Sequence, residues 1–241
     1  MNFNKVQNFV KVLAIPIQMR IPLEPDKLYH IYNHANGNDN LFYSEDNYFY
    51  FLKRYSELLA PIINTYAYCL MPNHFHLLVK IKSEKEIFDF LRTNGKIADD
   101  IGFNEFKALK IEIPNQPESI FSIHLSKQFA NFFNEYTQAL NKQLKRKGNL
   151  FIQSFHRKEI IDDLHSRENV LYIHCNPVHH KFTDRIEEWK FSSYRAHLSD
   201  KPTMIKREEV INLFDTRENF IYCHNEKLED IKSIPFEEEF I

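Results

Sequence analysis

The chain has 241 residues, 43% of them hydrophobic and 15% aromatic, so it can bury a core of its own as one elaborated domain. Its 31 Lys and Arg face 33 Asp and Glu for a formal net charge of -2, which excludes nucleic-acid binding through bulk charge and leaves only local clustering. The three cysteines, Cys69, Cys175 and Cys223, are odd in number and far apart with no C-x-x-C, which excludes a disulfide framework or a zinc ribbon and suits a reducing cytoplasm. Residues 9–17 are apolar but broken by Lys11 and Pro16, and no run approaches membrane-spanning length, so a soluble, unexported protein without membrane contact is expected.

Leu28-Tyr29-His30-Ile31-Tyr32 is rich in strand formers and gives way to the Asn- and Gly-bearing residues 33–40, a strand followed by a loop. A helix comes next, capped by Ser44, with Glu45 and Asp46 in its first turn and Tyr48, Phe51, Leu52, Tyr55, Leu58 and Leu59 at helical spacing up to Pro61. Residues 65–71 and 74–81 read as two strands joined tightly through Pro72-Asn73. Residues 83–118 are polar and irregular, whereas Phe129, Phe132, Phe133, Tyr136, Leu140 and Leu144 define a long amphipathic helix ended by Gly148-Asn149. Residues 150–161 read as a fourth strand, and 166–175 as a helix brought to a stop by Asn176-Pro177. Beyond a pattern change near Asp200-Lys201-Pro202, residues 208–220 read as helical, and Glu237-Glu238-Glu239 form an acidic tail. The order strand, helix, strand, strand, helix, strand is that of a ferredoxin-like split βαβ unit: an α+β fold with an antiparallel sheet, helices on one face, one further helix appended and a C-terminal helical extension.

On a strand, side chains at i and i+2 share a face, so His74 and His76 point together while Phe75, Leu77 and Val79 enter the opposite layer. Two imidazoles so placed can hold one metal, although the 12 histidines present would give about 0.6 H-x-H matches by chance, so the pair alone decides little. In the helix that follows the fourth strand, Tyr172 and Asn176 are four apart and stack on one face, with Glu168 a turn earlier on the same side. A phenol with a reference pKa of about 10 needs help to act as a nucleophile, and a neighbouring Mg²⁺ or Mn²⁺ supplies it by polarising a phosphate. The Asn176 amide oxygen is a hard donor able to complete a set with His74 and His76. Each residue also has an ordinary structural reading, as a half-buried sheet histidine, a packing aromatic or a helix C-terminal amide. Between Tyr136 and Lys158 the chain carries Lys142, Lys145, Arg146, Lys147, Arg157 and Lys158 with no acidic residue, a stretch able either to meet phosphates or to be a solvated helix end.

These residues resemble a known family, the single-tyrosine HUH transposases of small insertion sequences, and within it the REP-associated tyrosine transposase branch most of all. The blocks that carry the resemblance are Tyr29-His30-Ile31-Tyr32-Asn33-His34, Ala67-Tyr68-Cys69-Leu70-Met71-Pro72-Asn73-His74-Phe75-His76-Leu77-Leu78, Gly148-Asn149-Leu150-Phe151-Ile152-Gln153-Ser154-Phe155, Tyr172-Ile173-His174-Cys175-Asn176-Pro177-Val178 and Trp189-Lys190-Phe191-Ser192-Ser193-Tyr194. The resemblance covers a catalytic domain over 25–198, from which residues 83–118 depart as an insertion; the chain is expected to add an N-terminal arm over 1–24 and a C-terminal helical extension with an acidic tail over 199–241. It implies that His74 and His76 bind a divalent metal, Mg²⁺ or Mn²⁺, and that Tyr172 is the nucleophile that takes the 5′ phosphate. Asn176 stands where the family places a third ligand; relatives use Gln there, and Gln153 or His156 are the alternatives. The implied activity is cleavage and strand transfer of single-stranded DNA at hairpins, by a monomer or a homodimer that exchanges the tyrosine helix. The chain departs from relatives in lacking a Ser-Arg-Gly run in residues 33–40. Two rival readings are a domesticated DNA-binding regulator that does not cut, and a phosphodiesterase in which metal-bound water replaces Tyr172 as nucleophile.

Overall fold

The computed structural model describes residues 21–111, 118–152 and 154–233; residues 9–17, Gln153 and the acidic tail lie outside the described residues. Along the chain come β1 (Leu28–His34), α1 (Glu45–Leu58), β2 (Ile63–Leu70), β3 (His74–Ile81), α2 (Glu84–Thr93) and α3 (Phe103–Ala108). A short pair, β4 (Lys110–Ile111) and β5 (Glu118–Ser119), precedes α4 (Ile120–Leu144), β6 (His156–Ile160) and α5 (Asp163–His179). A 3₁₀ turn at Ile186–Glu188 leads to α6 (Tyr194–Leu198), α7 (Arg207–Asn212) and α8 (Arg217–Ser233). The main sheet is antiparallel with strand order β2-β3-β1-β6, the order of a ferredoxin-like α+β fold.

Alternation on the central strands sends Tyr29, Ile31, Phe75, Leu77 and Val79 to one face, where they share a core with Phe51 and Tyr55 of α1 and Phe129, Phe132 and Tyr136 of α4. Phe51 stands at its centre, with its ring 4.8 Å from Phe132 and 5.0 Å from Tyr136. The opposite face carries Cys69, Met71 and Leu78 against Val170, Ile173 and Cys175 of α5, and the same cluster takes in Val210, Phe214, Phe220 and Leu228 from the last two helices. The outer edge of β2 is closed by the segment before α6: Leu70 N donates to Phe191 O at 2.9 Å, Ser193 N to Tyr68 O at 2.9 Å, and Trp189 Nε1 to Leu70 O at 3.0 Å. Covering that edge removes a template for unwanted strand pairing.

Several elements differ from the sequence pattern. α5 continues to His179 through Pro177, where the pattern predicts a stop. A proline in a last turn forfeits one bond to the carbonyl four residues back, and here the turn closes through His180 N to Asn176 O at 2.9 Å and Phe182 N to Pro177 O at 2.8 Å, with Lys181 left-handed at φ 58. The fourth strand is shorter than 150–161. Phe151 pairs with Ala35 and His156 with Tyr32, so the chain between Phe151 and His156 is longer by two residues than the β1 stretch it faces. The excess lets both Phe151 and Phe155 enter the α4 core, each with its ring 5.3 Å from Phe133. α4 ends at Leu144, earlier than Gly148-Asn149 suggests, because Lys145 takes the left-handed cap. The helical pattern over 208–220 is two helices parted by a turn with Asp215 at φ 66.

Cys69, Cys175 and Cys223 are free thiols, and among the described residues no helix is long and apolar enough to cross a membrane. Replacing Phe51, which is fully buried, with alanine is expected to lower the unfolding free energy by about 3–5 kcal/mol in urea denaturation, because the ring leaves a cavity shared by both helices.

Candidate active site

The register of β1 against β3 sets His34 opposite His74, Tyr32 opposite His76 and His30 opposite Leu78, and β6 adds His156 opposite Tyr32 and Lys158 opposite His30. All these side chains point away from the α1/α4 core, so one face of the sheet is floored with imidazole and phenol rings. α5 lies across this floor. Residues two apart on a strand are about 6.7 Å apart and residues four apart on a helix about 6 Å, so the pair His74/His76 can be matched by the pair Tyr172/Asn176. Tyr172 meets His76 edge-on, with ring centroids 5.3 Å apart at 81°, and meets His30 at 5.9 Å. Asn176 Oδ1 lies 3.2 Å from His74 Nε2. His74, His76, Tyr172 and Asn176 are thus brought together, all from one chain. Glu168 is not among them. It is exposed and pairs with Lys227 of α8 at 3.5 Å, because each four-residue step along a helix drifts by about 40°.

A chain of hydrogen bonds fixes which nitrogen of His74 carries its proton. His34 Nδ1 lies 2.6 Å from the Ala35 carbonyl and must donate to it, which leaves His34 Nε2 an acceptor. Asn73 Nδ2 donates to that nitrogen at 2.9 Å, and this turns Asn73 Oδ1 towards His74 Nδ1, also at 2.9 Å. His74 Nδ1 therefore holds the proton, and Nε2 presents a lone pair to Asn176 Oδ1. The amide is oriented by its Nδ2, which donates to Tyr172 O at 3.4 Å. Two acceptors face each other at 3.2 Å with nothing to share. Bond lengths of about 2.1 Å at roughly a right angle place two metal donors about 3 Å apart, so this opposition is what a cation between them would relieve.

His76 supports the same reading. Its Nδ1 is 2.9 Å from His30 Nε2, while its Nε2 is buried and has no hydrogen-bond partner among the described residues. The His74 and His76 rings lie 5.2 Å apart at 80°. Burial pushes the His74 pKa down to about 4, against the opposing effect of the Asn176 contact and with help from His180 and His34, and it pushes His76 well below the ordinary 6.5. Both imidazoles are neutral near pH 7 and keep their lone pairs. Among the described residues no three His, Cys, Asp or Glu side chains gather as a metal cluster, so a set of three here needs the amide oxygen of Asn176. His156, one alternative to Asn176, stacks on Tyr32 at 5.1 Å, and Tyr32 stands between it and His76.

The basic stretch is divided by the fold. Arg146 pairs with Asp39 at 2.5 Å and donates to Asn141 Oδ1 at 2.8 Å, closing the loop after α4. Arg157 turns to the α4 side, where it donates to Ser126 Oγ at 3.0 Å and covers the Phe155 ring. Lys142, Lys145 and Lys147 are exposed at the end of α4, and Lys158 alone of the six lies on the ring-floored face, close enough to help lower the pKa of His30 to about 4, which burial chiefly causes. His30, His34, Asn73 and His180, whose ring is 4.9 Å from His74, join the site although none is among the site residues expected from the sequence. The alternation of His30, Tyr32 and His34 on the neighbouring strand was the available signal for the first two.

Behind α5 a second polar chain runs through the apolar layer. His224 Nδ1 donates to Phe220 O at 2.7 Å, which leaves its Nε2 to accept from His174 Nδ1 at 2.9 Å. His174 Nε2 then accepts from Ser193 Oγ at 2.8 Å, and Ser193 Oγ accepts from Tyr68 N at 2.9 Å. His174 sits two residues from Tyr172, so this chain ties the rotation of α5 to β2 on one side and α8 on the other. His197 packs beside it with neither ring nitrogen in a hydrogen bond of ordinary geometry, although the Tyr66 backbone lies near enough to favour its charged form slightly.

No family model and no curated protein sequence matches the chain. Among solved structures, that of a REP-associated tyrosine transposase bound to a REP hairpin is similar, with a TM-score of 0.50 and 15% identity over 78% of this chain and 89% of that one. At this identity the likeness shows a shared α+β fold.

Burial holds His197 down to about 3 and His224 down to about 4, below the ordinary 6.5. The unfolded chain therefore takes up protons that the folded chain refuses as pH falls from about 6.5 towards 4, and stability is full above that window and lost within it by about 1.4 kcal/mol per pH unit for each such group. Urea midpoints are expected to hold between pH 8 and 7 and to fall steeply between pH 6 and 5; His197→Leu should flatten the fall, and an unchanged slope would show that His197 is not held neutral.

Proposed function

We propose that this chain cleaves single-stranded DNA and rejoins it, carrying the cut strand on Tyr172 as a 5′-phosphotyrosine. The observation that carries the reading is the approach of a helix-borne tyrosine and amide to two neutral histidines on one sheet face, with Tyr172 5.3 Å from His76 and Asn176 3.2 Å from His74. Support for a DNA substrate comes from the fold, since the similar solved structure is of a transposase bound to a REP hairpin. Hairpin recognition and DNA transposition are carried over to this chain on that basis and on the motif resemblance.

In this reading Tyr172 Oη attacks the scissile phosphorus, the bond from phosphorus to the 3′ oxygen breaks, and that oxygen leaves as the 3′ hydroxyl after taking a proton. The phenol proton passes to water on the half-exposed side of the ring. The energy of the broken diester stays in the new bond, so an incoming 3′ hydroxyl can reverse the step on another strand without a nucleotide cofactor. His74, His76 and Asn176 would hold Mg²⁺ or Mn²⁺, which when bound polarises the phosphate and offsets its charge. Asn73 keeps His74 in the tautomer that leaves its Nε2 lone pair facing inward, and His30, 2.9 Å from His76 Nδ1, orients the second ring. Lys158, with Lys142, Lys145 and Lys147 at the end of α4, would accept backbone phosphates.

The test is a denaturing gel of labelled single-stranded hairpin DNA from the flanks of the protein's own gene, incubated with Mg²⁺, Mn²⁺ or chelator. Wild type is expected to give a metal-dependent covalent protein–DNA band. Tyr172→Phe should abolish it, and His76→Ala should reduce it by about a thousandfold. Cleavage that survives Tyr172→Phe without an adduct would establish water as the nucleophile instead. A separate check is Asn176→Ala, expected to weaken Mn²⁺ binding in calorimetry by about ten- to a hundredfold while leaving the fold intact.

A further inference from the structure

We infer that His156, stacked on Tyr32 at the outer strand of the sheet, is a platform for a nucleobase flanking the scissile phosphate. The inference rests on the proposed function and adds a subsite to it. The four strands carry a register row that runs His156, Tyr32, His76, Cys69, from the edge strand β6 across to β2. Its first three members are rings. His156 and Tyr32 lie 5.1 Å apart and only 12° from parallel, and Tyr32 continues to His76 at 5.8 Å and to His30 at 5.0 Å. Tyr32 covers one face of His156 and holds its orientation, while His156 itself is exposed. An imidazole held flat in this way offers its other face to a further ring without paying the entropy of being ordered.

The surroundings select a nucleotide over other flat ligands. Lys158 follows on the same face, is exposed, and makes no ion pair among the described residues, so a cation for a backbone phosphate stands beside the stack. The acidic residue of the strand, Glu159, points to the opposite side, where it pairs with Lys27 at 3.2 Å. Ring face plus neighbouring cation is the arrangement by which proteins bind single strands, the base stacking and the phosphate paired. Strands lie about 4.8 Å apart, which puts His156 about 10 Å from the His76 position and within reach of a nucleotide next to the one being cut. A strand entering over β6 would pass Lys158 and His156 before it reached Tyr172.

The test measures binding, so that it does not depend on cleavage. A fluorescein-labelled hairpin with a single-stranded arm, from the flank of the protein's gene, is titrated by anisotropy against Tyr172→Phe protein and the same protein carrying His156→Ala or His156→Phe. A set of arms carries one abasic position moved along the strand. The inference expects His156→Ala to weaken binding about tenfold, His156→Phe to restore it to within about twofold, and one abasic position to weaken the parent by the same factor without further weakening His156→Ala. It is overturned if His156→Ala binds like the parent, if every abasic position adds its own loss to that of the variant, or if His156→Phe fails to rescue, which would mean that a ring nitrogen and not the ring face is used. Absence of binding by the parent itself would sink the proposed function and this subsite with it, and that outcome is read before any His156 variant is made.

Discussion

Everything at the proposed site hangs on one register, that of β1 against β3. It places His34 beside His74 and Tyr32 beside His76, and a slip of β1 by a single residue would turn His30, Tyr32 and His34 into the Phe-rich core and bring Tyr29 and Ile31 to the polar side. The register is held from the core face by Tyr29, Ile31, Phe75, Leu77 and Val79, all buried. It is also held at the strand ends, where Ala35 N donates to Asn73 O at 2.7 Å and Ile81 N donates to Lys27 O at 2.9 Å. The apolar layer, which does no chemistry, is therefore what aims the imidazoles.

On that platform the polar groups are arranged in chains that each start from a backbone carbonyl. From Ala35 O the chain runs through His34 and Asn73 to His74, and from Phe220 O another runs through His224 and His174 to Ser193. A carbonyl can only accept, so each chain has a fixed direction, and the direction decides where lone pairs are exposed. The first chain ends in the opposition between His74 Nε2 and Asn176 Oδ1. The second ends on Tyr68 N, fully satisfied, and serves as a bolt between helix and strand. The same chemistry thus leaves an unmet demand at the end of the first chain and none at the end of the second.

Period-two and period-3.6 patterns made the strands, the hairpin through Pro72-Asn73 and the two pairs His74/His76 and Tyr172/Asn176 legible, because each depends only on local spacing. What local spacing does not carry is the third dimension. The basic residues between Lys142 and Lys158 read as one electropositive stretch, yet alternation on β6 sends Arg157 to the α4 side, and Arg146 is taken up by Asp39 from a distant loop. The two-residue excess before His156 is set by where α4 can receive two phenylalanines. Pro177 reads as a helix stop because its missing N–H is a local fact, while the bonds that carry the turn past it involve residues beyond. His30 lay open to a reading that compared neighbouring strands rather than scanning one.

Because His174 points away from the sheet while Tyr172 and Asn176 point towards it, α5 transmits what happens at the far end of the chain. Phe220, His224 and Phe214 pack around His174 behind the helix, and there they set the seat on which it turns. A random screen for inactive alleles would therefore scatter its hits well beyond the histidines and the tyrosine, into the last two helices, and selection would treat those helices as part of the site's inheritance.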